Sequence, residues 1–135
     1  MKPRMLSKKI INTDKAPNPV GPYNQSIQTT GTLVFVSGQI ALDPATNNLV
    51  LTTIEDETHQ IMKNVGAVLA ANGCSFDDVV SCSVFVRNMD DYGRINQVYG
   101  SYFDDATAPT RALVEVSRLP KDVNVEISAV AVKTP

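Results

Sequence analysis

The most constraining stretch of the chain lies near its C-terminus, where residues 110–118 and 123–132 alternate in character with a period of two. Only a β-strand sends such alternating side chains to separate faces. In the first run Ala112, Val114 and Val116 point one way, and Arg111, Leu113, Glu115 and Ser117 the other. In the second, Val123, Val125, Ile127, Ala129 and Ala131 oppose Asn124, Glu126, Ser128, Val130 and Val132. A simple hairpin through the intervening "LPKD" would set Glu126 opposite Glu115 and leave Arg111 several residues away. Arg111 and Glu126 can therefore share a site only if these strands are not direct partners, or if they come from different subunits.

The remaining elements limit what can cover such a sheet. Ile54, Thr58, Ile61, Met62, Val65, Val68 and Leu69 form one apolar stripe, which predicts a helix from about Thr53 to Asn72. Thr52 and Glu55 read as its capping box, Gly73 as its stop, and His59 sits at the edge of the stripe, facing solvent. "VVSCSVFVR" at 79–87 is a strand. A second helix follows from Asp90, with Tyr92, Ile95, Tyr99, Tyr102 and Phe103 on one side and Asn96 at the border of that face. Gly93 and Gly100 weaken it by roughly 1 kcal/mol each relative to alanine.

Toward the front, "KKIINT" suits a short strand, and "APNPVGPY" at 16–23 is an extended loop that its prolines bar from helix. "QSIQTTGTLVFVSG" reads as two strands around a turn at Thr30 and Gly31, the second ending at Gly38. The order β, β, β, α, β, α, β, β predicts an α+β sheet with both helices on one face. The other face would then carry Leu113, Val130 and Val132 beside Arg111 and Glu126, with no helix left to cover it. A second copy of the same sheet is the economical cover, which predicts a homo-oligomer.

Size and charge narrow the function. The 135 residues suit a single domain, 1–135, and 43% hydrophobic content against 19% charged supports a real core. A net charge of -2 with no basic stripe argues against nucleic acid as a partner. One histidine and two cysteines, Cys74 and Cys82, offer neither a metal cluster nor a redox pair, so no metal and no cofactor is expected. The thiols read as small buried apolar residues. No apolar run is long enough to span a membrane. A cytoplasmic protein is expected, although the basic start "MKPRMLSKK" leaves an organelle open.

Five stretches in one order, "APNPVGPYNQ", "VFVSGQIALDP", "NVGAVLAANGCSFDDVV", "VFVRNMDDYGRINQVYGSYF" and "APTRALVEVSRLPKDVNVEISAVAV", cover nearly the entire chain. On them it resembles the RidA (YjgF/YER057c/UK114) family of reactive-intermediate deaminases. The resemblance implies a chorismate-mutase-like α+β fold, a six-stranded mixed sheet with two helices on one face, and a homotrimer with clefts between subunits. It also implies hydrolysis of short 2-imino acids, such as 2-iminopropanoate and 2-iminobutanoate, to 2-keto acids and ammonia.

By the same resemblance Arg111 is the carboxylate-binding arginine and Glu126 the water-activating glutamate. Tyr23 is the cleft tyrosine, Ser37 and Gly38 the strand-end pair, Asn96 the helix asparagine, and Leu113 contributes through its backbone. The chain departs from many members in carrying Leu113 where they have cysteine and Ser128 where they have a second acid. The segment at 104–108 is also shorter than in some relatives, which alters the cleft rim.

The chemistry suits these residues. An imine is already electrophilic and needs a positioned water more than a metal or a strong nucleophile. Arginine can hold a carboxylate with two parallel hydrogen bonds, and a glutamate can take the proton of the attacking water. The competing reading is a non-catalytic trimer that binds a small carboxylate and acts as a regulatory or chaperone-like module. Glu126 speaks against it, because a mere carboxylate receptor gains nothing from a second anion beside its ligand. Ribonuclease action finds poor support in an acidic chain with a single histidine.

Overall fold

A computed structural model describes residues 8–134; the first seven residues of the basic start lie outside them. Two crossover units build the sheet. β1 (Lys9–Ile10) and β2 (Ile27–Gln28) pair with each other as a separate two-stranded ribbon. β3 (Thr32–Gln39) leads through α1 (Ile54–Ala71) to β4 (Val79–Val86), which leads through α2 (Tyr92–Gly100) to β5 (Thr110–Glu115). β6 (Val125–Lys133) closes the chain, and the strand order is β3-β6-β4-β5. β6 runs antiparallel to β3 and β4, and β5 parallel to β4. β3 and β4 are thus parallel to each other, and so are β4 and β5. Parallel strands need a long crossover, which is what each helix supplies.

The expected six-stranded sheet is therefore a four-stranded sheet plus a ribbon. β2 pairs with β1 and not with β3: Lys9 lies opposite Gln28 and Ile10 opposite Ile27, and the chain turns at Gly31, φ 138, before β3 begins. The last two strands are not a hairpin either. β4 lies between them, and Pro120–Asp122 form a 3-10 turn with Lys121 and Asp122 at φ 55.

α1 starts where Thr53, one residue later than the sequence suggested, accepts from the Asp56 amide at 3.0 Å. Glu55, Asp56 and Glu57 in its first turn suit the positive end of the helix. Its stripe of Ile54, Ile61, Met62, Val65 and Leu69 packs on Val34 and Val36 of β3, Val84 and Val86 of β4, and Ile127, Ala129 and Ala131 of β6. Ile95 and Tyr99 of α2 join the same core. Among the described residues no helix is long and apolar enough to cross a membrane.

Register assigns β5 differently from its alternation. Arg111 lies opposite Cys82 and Leu113 opposite Val84, both buried on the helix side, so Arg111 and Leu113 also face the helices. Leu113 packs against the core and is not at an open seam. Ala112 and Val114 instead face the uncovered side, where Val114 is 46% exposed. Both faces of β5 carry apolar residues, so alternation alone cannot say which is inward; pairing with β4 decides it.

The uncovered face holds Leu33 and Phe35 of β3, 55% and 73% exposed, with Phe85, Val130 and Glu126. Val132 is already buried, beneath the turn at Gly31.

Ile127 has no exposure in the central antiparallel pair of β6 and β4. Ile127→Ala should cost about 2–5 kcal/mol, read as a lower melting temperature and an earlier urea midpoint with unchanged slope.

Candidate active site

The residues singled out in the sequence fall into two groups on opposite sides of one sheet. The first forms where β5 meets α2 and the proline-rich loop. Arg111 Nη1 donates to Asn96 Oδ1 at 2.6 Å. The guanidinium is boxed by aromatic rings, with Cζ at 4.9 Å from the Tyr99 centroid, 5.6 Å from Tyr23 and 6.0 Å from Tyr92. Such rings stabilise a cation through their negative faces and hold the planar fork in one orientation. Asn96 occupies one of its five N–H donors, which leaves others for a ligand.

The loop reaches this far in because of its composition. A Cβ on Gly21 would sit 3.2 Å from Arg111 Nη2 and 3.3 Å from the Tyr92 hydroxyl, closer than most side chains tolerate. Asn24 then fixes the loop. Its buried side chain donates to the carbonyls of Asp105 at 3.2 Å and Ala108 at 2.9 Å, and accepts from Asn12 Nδ2 at 3.0 Å. Tyr23, the next residue back, is thereby held against the guanidinium. A depression of about 630 Å³ adjoins this group, lined among others by Tyr23, Asn96, Gln97 and Asp105.

Beneath Arg111 lie two buried polar groups. Burial pushes the Cys82 thiol up to about 11, against the opposing pull of Tyr99 and Arg111. It stays a thiol at neutral pH and is no nucleophile. Burial also raises Tyr99, whose hydroxyl lies by Cys82 without a well-formed hydrogen bond. Cys74 is buried as well. His59, on the exposed side of α1, meets the Tyr102 hydroxyl at 2.9 Å. Among the described residues no three His, Cys, Asp or Glu side chains come together as a metal site.

The second group is on the uncovered face. Between Val36↔Ala129 and Gln39↔Ile127 the register of β3 slips by one residue, so Ser37 and Gly38 form a bulge across from Ser128. The Glu126 carboxylate lies directly over Gly38: a Cβ there would be 2.8 Å from Glu126 Cδ and 2.9 Å from Oε2. Glu126 pairs with Phe85 of β4, on the face away from α1 and α2.

Tyr23, Asn96 and Arg111 thus come together, and so do Ser37, Gly38 and Glu126, but the sheet separates the two sets within one protomer. The Leu113 side chain belongs to neither, since it points into the core; its backbone lies on β5, the edge strand. Gly21, Tyr92 and Tyr99 were missed as neighbours of the arginine, and Asn24 as the tie that holds their loop. Their signals were visible only in part: a glycine between two prolines, and tyrosines at helical spacing that read as core.

Comparison with known proteins adds context to this geometry. The family model described as Endoribonuclease L-PSP matches residues 13–133. A RutC family protein of Synechocystis is 52% identical over 128 residues, 94% of this chain and 98% of that protein. A mouse protein named 2-iminobutanoate/2-iminopropanoate deaminase is 41% identical, with 96% of this chain and 95% of its own length covered. The crystal structure of Escherichia coli TdcF with bound serine is similar at a TM-score of 0.72 and 41% identity, covering 93% of this chain and 99% of that one.

Gly38→Ala should leave the fold intact, because the atoms its methyl meets are the mobile end of Glu126 and not backbone. The carboxylate must move aside. A crystal structure of the variant should show it displaced at an almost unchanged melting temperature; a carboxylate in its original place would mean that the contact does not position it.

Proposed function

The chain is a member of the RidA (YjgF/YER057c/UK114) family, and from that premise we propose that it is an imine deaminase whose site is completed by a second copy of itself. The observation that carries the reading is the separation of Arg111 from Glu126. One group offers a caged guanidinium, the other a carboxylate on an uncovered apolar face. A neighbouring protomer seated on that face can bring its own Arg111 group to this Glu126. The family resemblance supports a homotrimer for this assembly.

In such a cleft Arg111 holds the carboxylate of a 2-imino acid with its remaining N–H donors, and Tyr23 and Asn96 keep the guanidinium in place. Glu126 takes a proton from a water whose oxygen bonds to the imine carbon. As the C–O bond forms, the C=N π pair of the protonated imine moves to nitrogen; Glu126 then returns its proton to the amine of the carbinolamine, and the C–N bond breaks as the hydroxyl oxygen forms C=O and releases its proton to solvent, which gives the 2-keto acid and ammonia. The serine bound in Escherichia coli TdcF supports a small carboxylate ligand on this fold. It equally suits a second reading, a binding module without turnover.

The deciding measurement is ammonia and keto-acid release from freshly generated 2-iminopropanoate and 2-iminobutanoate. Arg111→Ala should lose about 1.5–3 kcal/mol of charge-assisted binding, roughly a ten- to hundredfold fall in kcat/KM, with Arg111→Lys recovering only part. Glu126→Gln should lower kcat while binding of a 2-keto acid survives, and Ser128→Ala should matter much less. A wild-type protein that binds pyruvate yet leaves the imine decay rate unchanged would favour the binding module. For the assembly, Phe35→Asp buries an unpaired charge in the proposed contact, so light scattering should report a smaller species with unchanged far-UV dichroism.

A further inference from the structure

Glu57 is a carboxylic side chain with 1% exposure in the first turn of α1, on the helix-covered side of the sheet. Its partners are three N–H groups. Oε2 accepts from the Asn124 amide at 2.8 Å and the Val125 amide at 3.0 Å, and Oε1 accepts from Asn124 Nδ2 at 2.8 Å. The carbonyl of Asn124 is held in turn by the Arg87 amide at 3.0 Å. The chain is thus clamped at the two residues immediately ahead of Glu126.

Strand geometry turns this clamp into a constraint on the other face. Val125 points inward with no exposure, so Glu126 must project to the opposite side. Its Cα lies opposite Phe85 and its carboxylate rests over Gly38. Fixing the amides of Asn124 and Val125 from below fixes the point and direction from which Glu126 leaves the sheet. Burying a carboxylate is costly unless hydrogen bonds compensate it, and a neutral glutamine would lose the charge that strengthens the three bonds made here. Glutamine keeps one acceptor oxygen for the two backbone donors but carries no charge, and its amide N–H₂ meets Asn124 Nδ2 unless that side-chain amide turns over, so the three bonds are weakened and rearranged.

We propose that Glu57 is a positioning residue for Glu126, setting the geometry of the proton-accepting carboxylate through the start of β6; this rests on the role proposed for Glu126. Among the described residues the hydrogen bonds of the Glu57 side chain go to Asn124 and Val125, and none to Arg111 or its group. Substrate grip should therefore survive its loss while turnover does not.

The test is a double-mutant cycle on purified full-length protein, with imine hydrolysis, pyruvate binding and thermal melting measured for wild type, Glu57→Gln, Glu126→Gln and the double variant. Glu57→Gln should lower kcat about tenfold, as expected for a displaced reacting group, with KM and pyruvate affinity within about twofold. In the Glu126→Gln background the same change should cost less than about twofold, because the residue it positions is already disabled. If Glu57→Gln fails to fold, Asn124→Ala, which removes one of the three hydrogen bonds, carries the test with a smaller fall in kcat. If Glu126→Gln has no measurable turnover, the carboxyl carbon resonance of Glu126, assigned by its loss in that variant, should shift in Glu57→Gln or Asn124→Ala.

Equal losses in both backgrounds, an unchanged kcat, an unmoved resonance, or a parallel loss of pyruvate binding would overturn the proposal. Glu126→Gln with wild-type turnover would overturn the proposed function itself, and this inference with it. That outcome shows in the Glu126 variant alone, whatever Glu57 does.

Discussion

The pairing register of β4 is the constraint on which the rest of the structure depends. Cys82 opposite Arg111 and Phe85 opposite Glu126 are an odd number of residues apart on one strand, so they face opposite ways, and they carry their partners with them. Arg111 is sent to α2 and the proline-rich loop, Glu126 to the bare face. A one-residue slip on either side of β4 would reverse one of these assignments. On the β6 side the buried row of Val125, Ile127 and Ala129 makes such a slip expensive, because it would turn these core residues outward and Glu126 and Ser128 inward.

Each half is then supported by its own local devices. The arginine rests among three tyrosine rings and the Asn96 amide, and the loop that supplies Tyr23 is tied by Asn24 to the segment just ahead of β5. The glutamate leaves a strand clamped by Glu57 and crosses a bulge where Gly38 has no side chain to oppose it. Neither half depends on the other within the protomer. Separately braced halves suit a site that assembles between copies, since each protomer can hold its contribution ready before contact.

Much of this was legible in the sequence. The stripe of α1, the alternation of β6 and the apolar strength of β4 marked real elements, and their order implied helices on one face with the other face bare. The family resemblance assigned Tyr23, Ser37, Gly38, Asn96, Arg111 and Glu126 to one cleft without dividing them; within the protomer Tyr23 and Asn96 lie by Arg111 on the helix side of the sheet, and Gly38 lies by Glu126 on the other. What failed was the orientation of β5. Its residues are apolar on both sides, and only the parallel register with β4, a partner about thirty residues earlier, distinguishes them. The role of Glu57 was invisible for a similar reason, since an acid in the first turn of a helix reads as a favourable surface charge, and its burial depends on a strand 67 residues away.

The central claim is that a working site takes Arg111 from one protomer and Glu126 from another. It is tested most directly by complementation: Arg111→Ala and Glu126→Gln proteins, each with only residual activity alone, are unfolded together at equal concentration, refolded and assayed. In a cyclic trimer with random mixing, about one site in four would join an intact Arg111 to an intact Glu126. The account predicts recovery of about a quarter of the wild-type rate. A mixture as inactive as its components, with mixed trimers confirmed by mass spectrometry, would contradict it, because it would mean that both residues must come from the same chain.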